Sequence, residues 1–271
     1  MSNTNPIGIF DSGIGGLTVA NAIHRYLPEE QIIYFGDTAH LPYGDKAPSS
    51  IIEYSKTISK FLLKKGVKII VIACNTASSI AFEHVKKIAG NIPVINVIDP
   101  VVDVVVNEKK AKIVGVIGTR ATIGSGEYES RIKAMNPNIA VRSQSTPLLV
   151  PMIEEHIMDD KIGKLVIEKY LSQGILDDID SLILGCTHYP LIKNLVESYY
   201  KGQVNVLDSA DIVGKHVMKY IDENNLRAER LSTNHHFYVS DYTDSFEINT
   251  RNFFTQQIHL EETNIWASFK P

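Results

Sequence analysis

Short, unbroken apolar runs alternate along the chain with stretches in which apolar residues recur every three to four positions. Strands are expected over 7–10, 31–35, 67–73 and 93–98, and again over 112–117, 140–143, 181–184, 204–207 and 236–240. Several runs are rich in Ile and Val and do not alternate with polar residues, the pattern of strands covered on both faces. Helical periodicity is expected over 17–26, 49–65, 78–89, 125–136, 151–173, 191–200, 212–223 and 243–254. Gly66 and Gly90 stand where two of these patterns stop. Strands separated by helices predict an α/β chain with mostly parallel sheets.

The second half reads as a divergent copy of the first. Gly8-Ile9-Phe10-Asp11-Ser12-Gly13 corresponds to Gly115-Val116-Ile117-Gly118-Thr119-Arg120, 107 positions later. Ile70-Val71-Ile72-Ala73-Cys74-Asn75-Thr76 corresponds to Leu182-Ile183-Leu184-Gly185-Cys186-Thr187-His188, 112 positions later. Two matches in one order, both at strand ends, point to duplicated domains rather than a short solenoid repeat. The 271 residues accommodate two such units. The expected boundary lies near Asp99-Pro100, with a return near Asp208. This gives two pseudo-symmetric, doubly wound lobes, 1–98 plus 209–271 and 99–208, with the active site in the cleft between them.

Composition narrows the class. Twenty-seven Lys and Arg against thirty-one Asp and Glu give a net charge of −4. No basic arm or stripe suggests nucleic acid. No apolar run is long enough for a membrane span, and the polar start leading into a strand does not read as a signal peptide. Two cysteines make neither a disulfide scaffold nor a Cys-rich zinc site. A reduced, cytoplasmic protein without metal or cofactor is expected. A homodimer is the expected assembly, although no surface for it is readable in the sequence.

Those two cysteines carry the chemistry. Cys74 and Cys186 each follow an apolar strand through one small residue, and small polar residues follow each. Ligands of open parallel sheets bind at the carboxyl ends of strands, so facing halves would set the two thiols against each other. A lone free cysteine is usually a small buried hydrophobe; a duplicated one with polar neighbours asks for another reason. A thiolate is a base, and a helix N-terminus lowers a thiol's pKa. One sulfur could take a proton from one face of a carbon while the other delivers one to the opposite face. The net result is inversion at an acidic stereocentre. A single-nucleophile hydrolase with His188 as base would leave Cys74 idle.

Other motifs are weaker. The turn Asp11-Ser12-Gly13-Ile14-Gly15-Gly16 resembles a nucleotide loop, but it lacks a P-loop Lys, and Thr18 stands where a dinucleotide fingerprint needs glycine. Asp37 mimics a ribose-binding acid. A tight turn exposing Asp11 and Ser12 fits better, with Asp11 as a helix cap the plain alternative. Leu41-Pro42-Tyr43-Gly44 reads as a turn able to close over a ligand. Asn75, Thr76 and Thr187 offer neutral donors or helix caps. His235 and His236 are adjacent in a strand, point to opposite faces, and make a poor metal pair. Lys86-Lys87 and Lys109-Lys110 read as solvated surface.

Taken together, Phe10-Asp11-Ser12-Gly13-Ile14-Gly15-Gly16-Leu17, Pro42-Tyr43-Gly44, Ala73-Cys74-Asn75-Thr76-Ala77-Ser78 and Gly185-Cys186-Thr187-His188-Tyr189-Pro190 resemble the cofactor-independent glutamate racemases of the aspartate/glutamate racemase group. The resemblance spans about residues 7–210. It implies that Cys74 and Cys186 are the acid/base catalysts, assisted by Asp11 and His188. It implies substrate contacts from Asp11, Ser12, Tyr43, Gly44, Asn75, Thr76, Thr187 and His188. Asp37 would lie behind them, and an acid of 150–155, Glu154 or Glu155, would support His188. Aspartate racemases carry Glu where His188 stands, so that position favours glutamate. Asp45-Lys46-Ala47-Pro48 departs from the family's usual loop continuation. The implied role is supply of D-glutamate for peptidoglycan. The rivals are a racemase of another acidic amino acid such as aspartate, a non-enzymatic glutamate-binding regulator, and a redox protein, the last lacking a Cys-x-x-Cys pair.

Overall fold

A computed structural model describes residues 3–108, 111–158, 161–229 and 234–266. Among these described residues, ten strands form two parallel sheets: β1 (Ile7–Asp11), β2 (Ile32–Gly36), β3 (Ile69–Ile72), β4 (Val94–Asn96), β5 (Ile113–Gly118), β6 (Ala140–Ser145), β7 (Ser181–Gly185), β8 (Asn205–Leu207), β9 (His236–Val239) and β10 (Leu260–Glu262). The first sheet has six strands in the order β10-β9-β2-β1-β3-β4, and the second has four in the order β6-β5-β7-β8. Every pairing is parallel. The first sheet draws its strands from 7–96 and 236–262 and the second from 113–207.

The apolar runs form strands because both faces are covered. On one face of the first sheet Ile7, Ile9, Tyr34, Ile69 and Val71 pack with Leu17, Ile23, Val213 and Val217 of the helices Leu17–Tyr26 and Ser209–Glu223. On the other, Phe10, Phe35, Ile70 and Ile72 pack with Ile58, Leu62, Ala81 and Val85 of Pro48–Lys64 and Asn75–Ala89. Each fully buried aliphatic side chain contributes about 1.5–3 kcal/mol before entropy is counted. The second sheet repeats the arrangement with Val114, Val116 and Ile183 on one face and Ile117, Leu182 and Leu184 on the other. No helix among the described residues is long and apolar enough to cross a membrane.

Four expectations change. Residues 97–107, not read as a helix, contain Ile98–Asn107. Its Ile98, Val101, Val102 and Val105 are buried at helical spacing, and Asn96 Oδ1 accepts the Ile98 and Asp99 amides at 2.8 and 2.9 Å. The long helix expected over 151–173 is two, Leu149–Glu154 and Lys161–Leu171, with His156 in the left-handed region at φ 57° after the first; residues 159–160 lie outside the described residues. The helix expected over 243–254 shortens to Asp244–Asn249 with a single 3-10 turn after it. The short strand β10 carried too few residues to be read as one. Lys109 and Lys110 lie outside the described residues.

Candidate active site

Carboxyl ends of strands from both sheets meet around one cavity of about 280 Å³. Ser12 follows β1; Cys74, Asn75 and Thr76 follow β3; Thr119 and Arg120 follow β5; Thr146 follows β6; Cys186, Thr187 and His188 follow β7. Each sheet therefore delivers one thiol to a shared space, and both thiols are free and buried.

Cys74 caps the helix Asn75–Ala89 in an extended conformation. Its sulfur accepts the Ala77 N–H at 3.4 Å and lies 3.7 Å from Ser12 Oγ. Burial pushes the thiol pKa up to about 12, with the charge of Asp11 adding to it against the pull of Ala77 and Ser12. At neutral pH Cys74 is a thiol, poised to give a proton.

The other half is set differently. His188 Nδ1 lies 3.9 Å from Cys186 Sγ, and its Nε2 lies 2.9 Å from Glu154 Oε1. Burial alone would lower the imidazole pKa, but its hydrogen bonds to Cys186 and Glu154, with their charges, outweigh burial and carry it up to about 10. His188 is thus an imidazolium at neutral pH, held between the Cys186 sulfur and the Glu154 carboxylate. Within the Gly-rich turn, Gly15 makes room for this ring and Gly16 makes room for Asp11. A Cβ on Gly15 would stand 2.3 Å from His188 Cε1, and one on Gly16 would stand 2.4 Å from Asp11 Cβ.

Neutral donors fill the wall between the sulfurs. Tyr128 Oη donates to Asn75 Oδ1 at 2.7 Å, while the buried Asn75 Nδ2 finds no partner among the described residues. Thr76 Oγ1 lies 3.0 Å from Thr119 Oγ1 and 3.1 Å from Thr122 Oγ1. Thr187 lines the wall, and its carbonyl accepts from Thr18 Oγ1 at 2.9 Å. Tyr43 and Gly44 form the roof. Tyr43 Oη donates to Asp37 Oδ2 at 2.6 Å, and Ser240 Oγ donates to Asp37 Oδ1 at 2.8 Å. A Cβ on Gly44 would meet Thr119 Cβ at 2.8 Å, so loops from the two sheets touch here. Among the described residues, no group of three or more His, Cys, Asp or Glu side chains is placed to hold a metal ion.

The description Asp/Glu/Hydantoin racemase matches residues 8–217. The chain belongs to this racemase family. It is similar to a glutamate racemase of Chlorobaculum parvum, with 40% identity over 91% of either chain. A glutamate racemase of Streptococcus equi subsp. equi is 38% identical over 97% of this chain and all of its own. Among solved structures, glutamate racemase from Francisella tularensis subsp. tularensis SCHU S4 in complex with D-glutamate superimposes with a TM-score of 0.93. That match has 41% identity and covers 98% of this chain and 100% of the other.

In this racemase-family chain ten of the twelve residues singled out from the sequence line the cavity: Ser12, Tyr43, Gly44, Cys74, Asn75, Thr76, Glu154, Cys186, Thr187 and His188. Two do not. Asp11 has no exposed surface; its Oδ2 accepts the Gly13 and Gly16 amides at 3.2 and 2.9 Å, while Oδ1 finds no hydrogen-bond partner among the described residues. Burial raises its pKa against the lowering effect of His188 and those amides. Its carboxylate is turned inward to hold the glycine turn, so it reaches Cys74 through its field. Asp37 is likewise fully buried, beneath Tyr43. Of the two candidate acids, Glu154 meets His188, and Glu155 lies beyond the helix end. Sequence reasoning did not single out Thr119, Arg120 or Thr146 as site residues. The duplication held a signal for the first two, because they match Ser12 and Gly13 at the end of the corresponding strand.

Proposed function

We propose that this protein interconverts L- and D-glutamate by moving the α-proton between Cys74 and Cys186, without metal, nucleotide or pyridoxal phosphate. One sulfur, as thiolate, takes the proton from Cα, and the electron pair of the C–H bond passes into the α-carboxylate. The other, as thiol, returns a proton to the opposite face. Roles exchange for the reverse direction. The developing charge on the carboxylate needs fixed donors in a dry site. Asn75 Nδ2, Thr76, Thr187 and the turn after β1 supply them. His188 with Glu154 serves the Cys186 side, and Asp11 acts on Cys74 from behind.

The observation that carries this reading is the delivery of one thiol by each sheet to one cavity lined with neutral donors. The metabolic role that goes with it is D-glutamate for peptidoglycan. The test is circular dichroism of D-glutamate with the dialysed protein in deuterium oxide, followed by mass analysis. Loss of optical activity with one deuterium at Cα is the expected result. An unchanged signal with D-glutamate, alongside turnover of D-aspartate, would replace the substrate; binding without exchange would make the protein a glutamate-binding regulator. The proposal also includes a homodimer in the cytoplasm. A monomer in sedimentation velocity, or recovery outside the cytosolic fraction, would remove those parts.

A further inference from the structure

Arg120 stands apart from the rest of the cavity wall. It is the one Lys or Arg among the described residues that line the cavity. It begins the short helix after β5, in the second sheet, and its Nη1 lies 3.0 Å from Oδ1 of Asp45, which belongs to the turn Tyr43–Asp45 beyond β2 in the first sheet. Both side chains line the cavity, yet they are 61% and 56% exposed, so the pair sits where the cavity opens to solvent. Beneath it, the close approach of Gly44 to Thr119 brings the two loops into contact. The pair therefore bridges loops of the two sheets across the mouth.

We infer that Arg120 is the guide that draws the acidic substrate into the cavity, and that Asp45 is a built-in competitor that sets the strength of the attraction. This rests on the reading of the cavity as an acidic amino-acid site. Glutamate carries two carboxylates and one ammonium. The wall it meets includes Glu154, and Asp11 and Asp37 lie close behind it. Apart from His188, only Arg120 among the described residues that line the cavity offers positive charge. An exposed ion pair is weak and screened by salt, so an incoming carboxylate can take the guanidinium from Asp45. A charge at the rim of a binding site acts mainly on the association rate and its salt dependence.

Steady-state racemisation by the wild type, Arg120→Gln, Arg120→Lys and Asp45→Asn, at low and at high ionic strength, tests this. Arg120→Gln is expected to lower kcat/KM by about tenfold at low salt, chiefly through KM, and to flatten its salt dependence. Arg120→Lys keeps the charge and the salt dependence. Asp45→Asn removes the competitor and raises kcat/KM at low salt by about two- to threefold. The two enantiomers are equally stable in water, so each change in kcat/KM must be the same in both directions. Effects of equal sign at Arg120 and Asp45, or an unchanged salt slope in Arg120→Gln, would overturn the guide. If the wild type failed to racemise but bound D-glutamate in calorimetry, the proposed function would fall. The same ordering of binding constants among the variants would then support the guide, and equal constants would overturn it.

Discussion

Glu154 Oε1 stands 2.9 Å from His188 Nε2, on the side of the ring away from Cys186. The Cys186 sulfur and this carboxylate together let a buried imidazole keep its proton. Burial works to discharge His188, and the contacts with Cys186 and Glu154 overcome it, raising the pKa from 6.5 to about 10. Glu154→Gln keeps the shape and removes the charge. We expect kcat to fall about 10²-fold and the alkaline limb of its pH profile to move toward neutral pH. A raised histidine pKa stabilises the fold fully below 6.5 and loses that contribution as pH climbs through about 10. The melting-temperature gap between wild type and variant should therefore be largest in mild acid and close on the way to pH 10. A gap independent of pH would mean that His188 is not held charged by Glu154.

Cys74 is expected to react slowly. Its thiol, pushed up to about 12 by burial and then by Asp11, is almost wholly protonated at neutral pH. Its thiolate fraction at pH 7 should be lower than that of a free cysteine by about three orders of magnitude. Iodoacetamide labelling read by mass spectrometry should show Cys74 nearly inert at pH 7, with a rate still rising at the highest pH the fold tolerates. Labelling of Cys74 at the rate of a free thiol would contradict the burial argument.

The two thiols and their strand ends were legible because the chemistry follows local pattern. Ile69–Ile72 and Ser181–Gly185 are short buried runs, and each sulfur comes within one or two residues of a strand end. Long-range reasons were not legible. Nothing local says that Gly15 must be glycine to seat a ring from His188. Nor does sequence say which of two adjacent acids faces inward; the helix Leu149–Glu154 decides for Glu154 by ending there. Asp11 looked like a wall residue because it sits at a strand end, but the glycine amides turn its carboxylate inward. The helix Ile98–Asn107 drew no helical reading because its β-branched Val and Ile residues favour helix weakly, and their burial spacing shows only in the fold.

Gly15→Ala should disable the site without unfolding the chain. The added methyl would stand 2.3 Å from His188 Cε1 and 2.8 Å from Thr187 Oγ1. Gly15 has no positive φ, so the backbone accepts alanine and the conflict falls on the ring. Displacing His188 breaks its alignment with both Glu154 and Cys186. We expect kcat to drop by about 10²-fold or more, with a loss in melting temperature of a few degrees. Gly124→Ala is the control, because a Cβ there meets nothing within 4 Å. Equal activity in the two variants would show that the turn does not set the ring.

Lys68 and Glu30 allow the fold to be perturbed without touching the site. Both side chains are fully buried, with Nζ 2.5 Å from Glu30 Oε2 and 2.7 Å from the carbonyls of Asn3 and Leu226. Glu30 Oε1 accepts the Ala228 amide at 2.8 Å. The pair thus ties the start of the chain, the loop before β2 and the end of the helix Ser209–Glu223. Lys68 immediately precedes β3, while Cys74 follows its other end. Lys68→Met leaves Glu30 buried and unpaired, which should cost about 3–5 kcal/mol and lower the melting temperature by about 10 °C. Lys68→Met with Glu30→Leu removes both charges and should recover part of that loss. It should not recover all of it, because the two carbonyls still lack their donor. Both variants should keep the wild-type kcat/KM at temperatures where they are folded. A double variant no more stable than the single would place the cost in the lost carbonyl contacts, and a raised KM would mean that the amino ends of the strands communicate with the cavity.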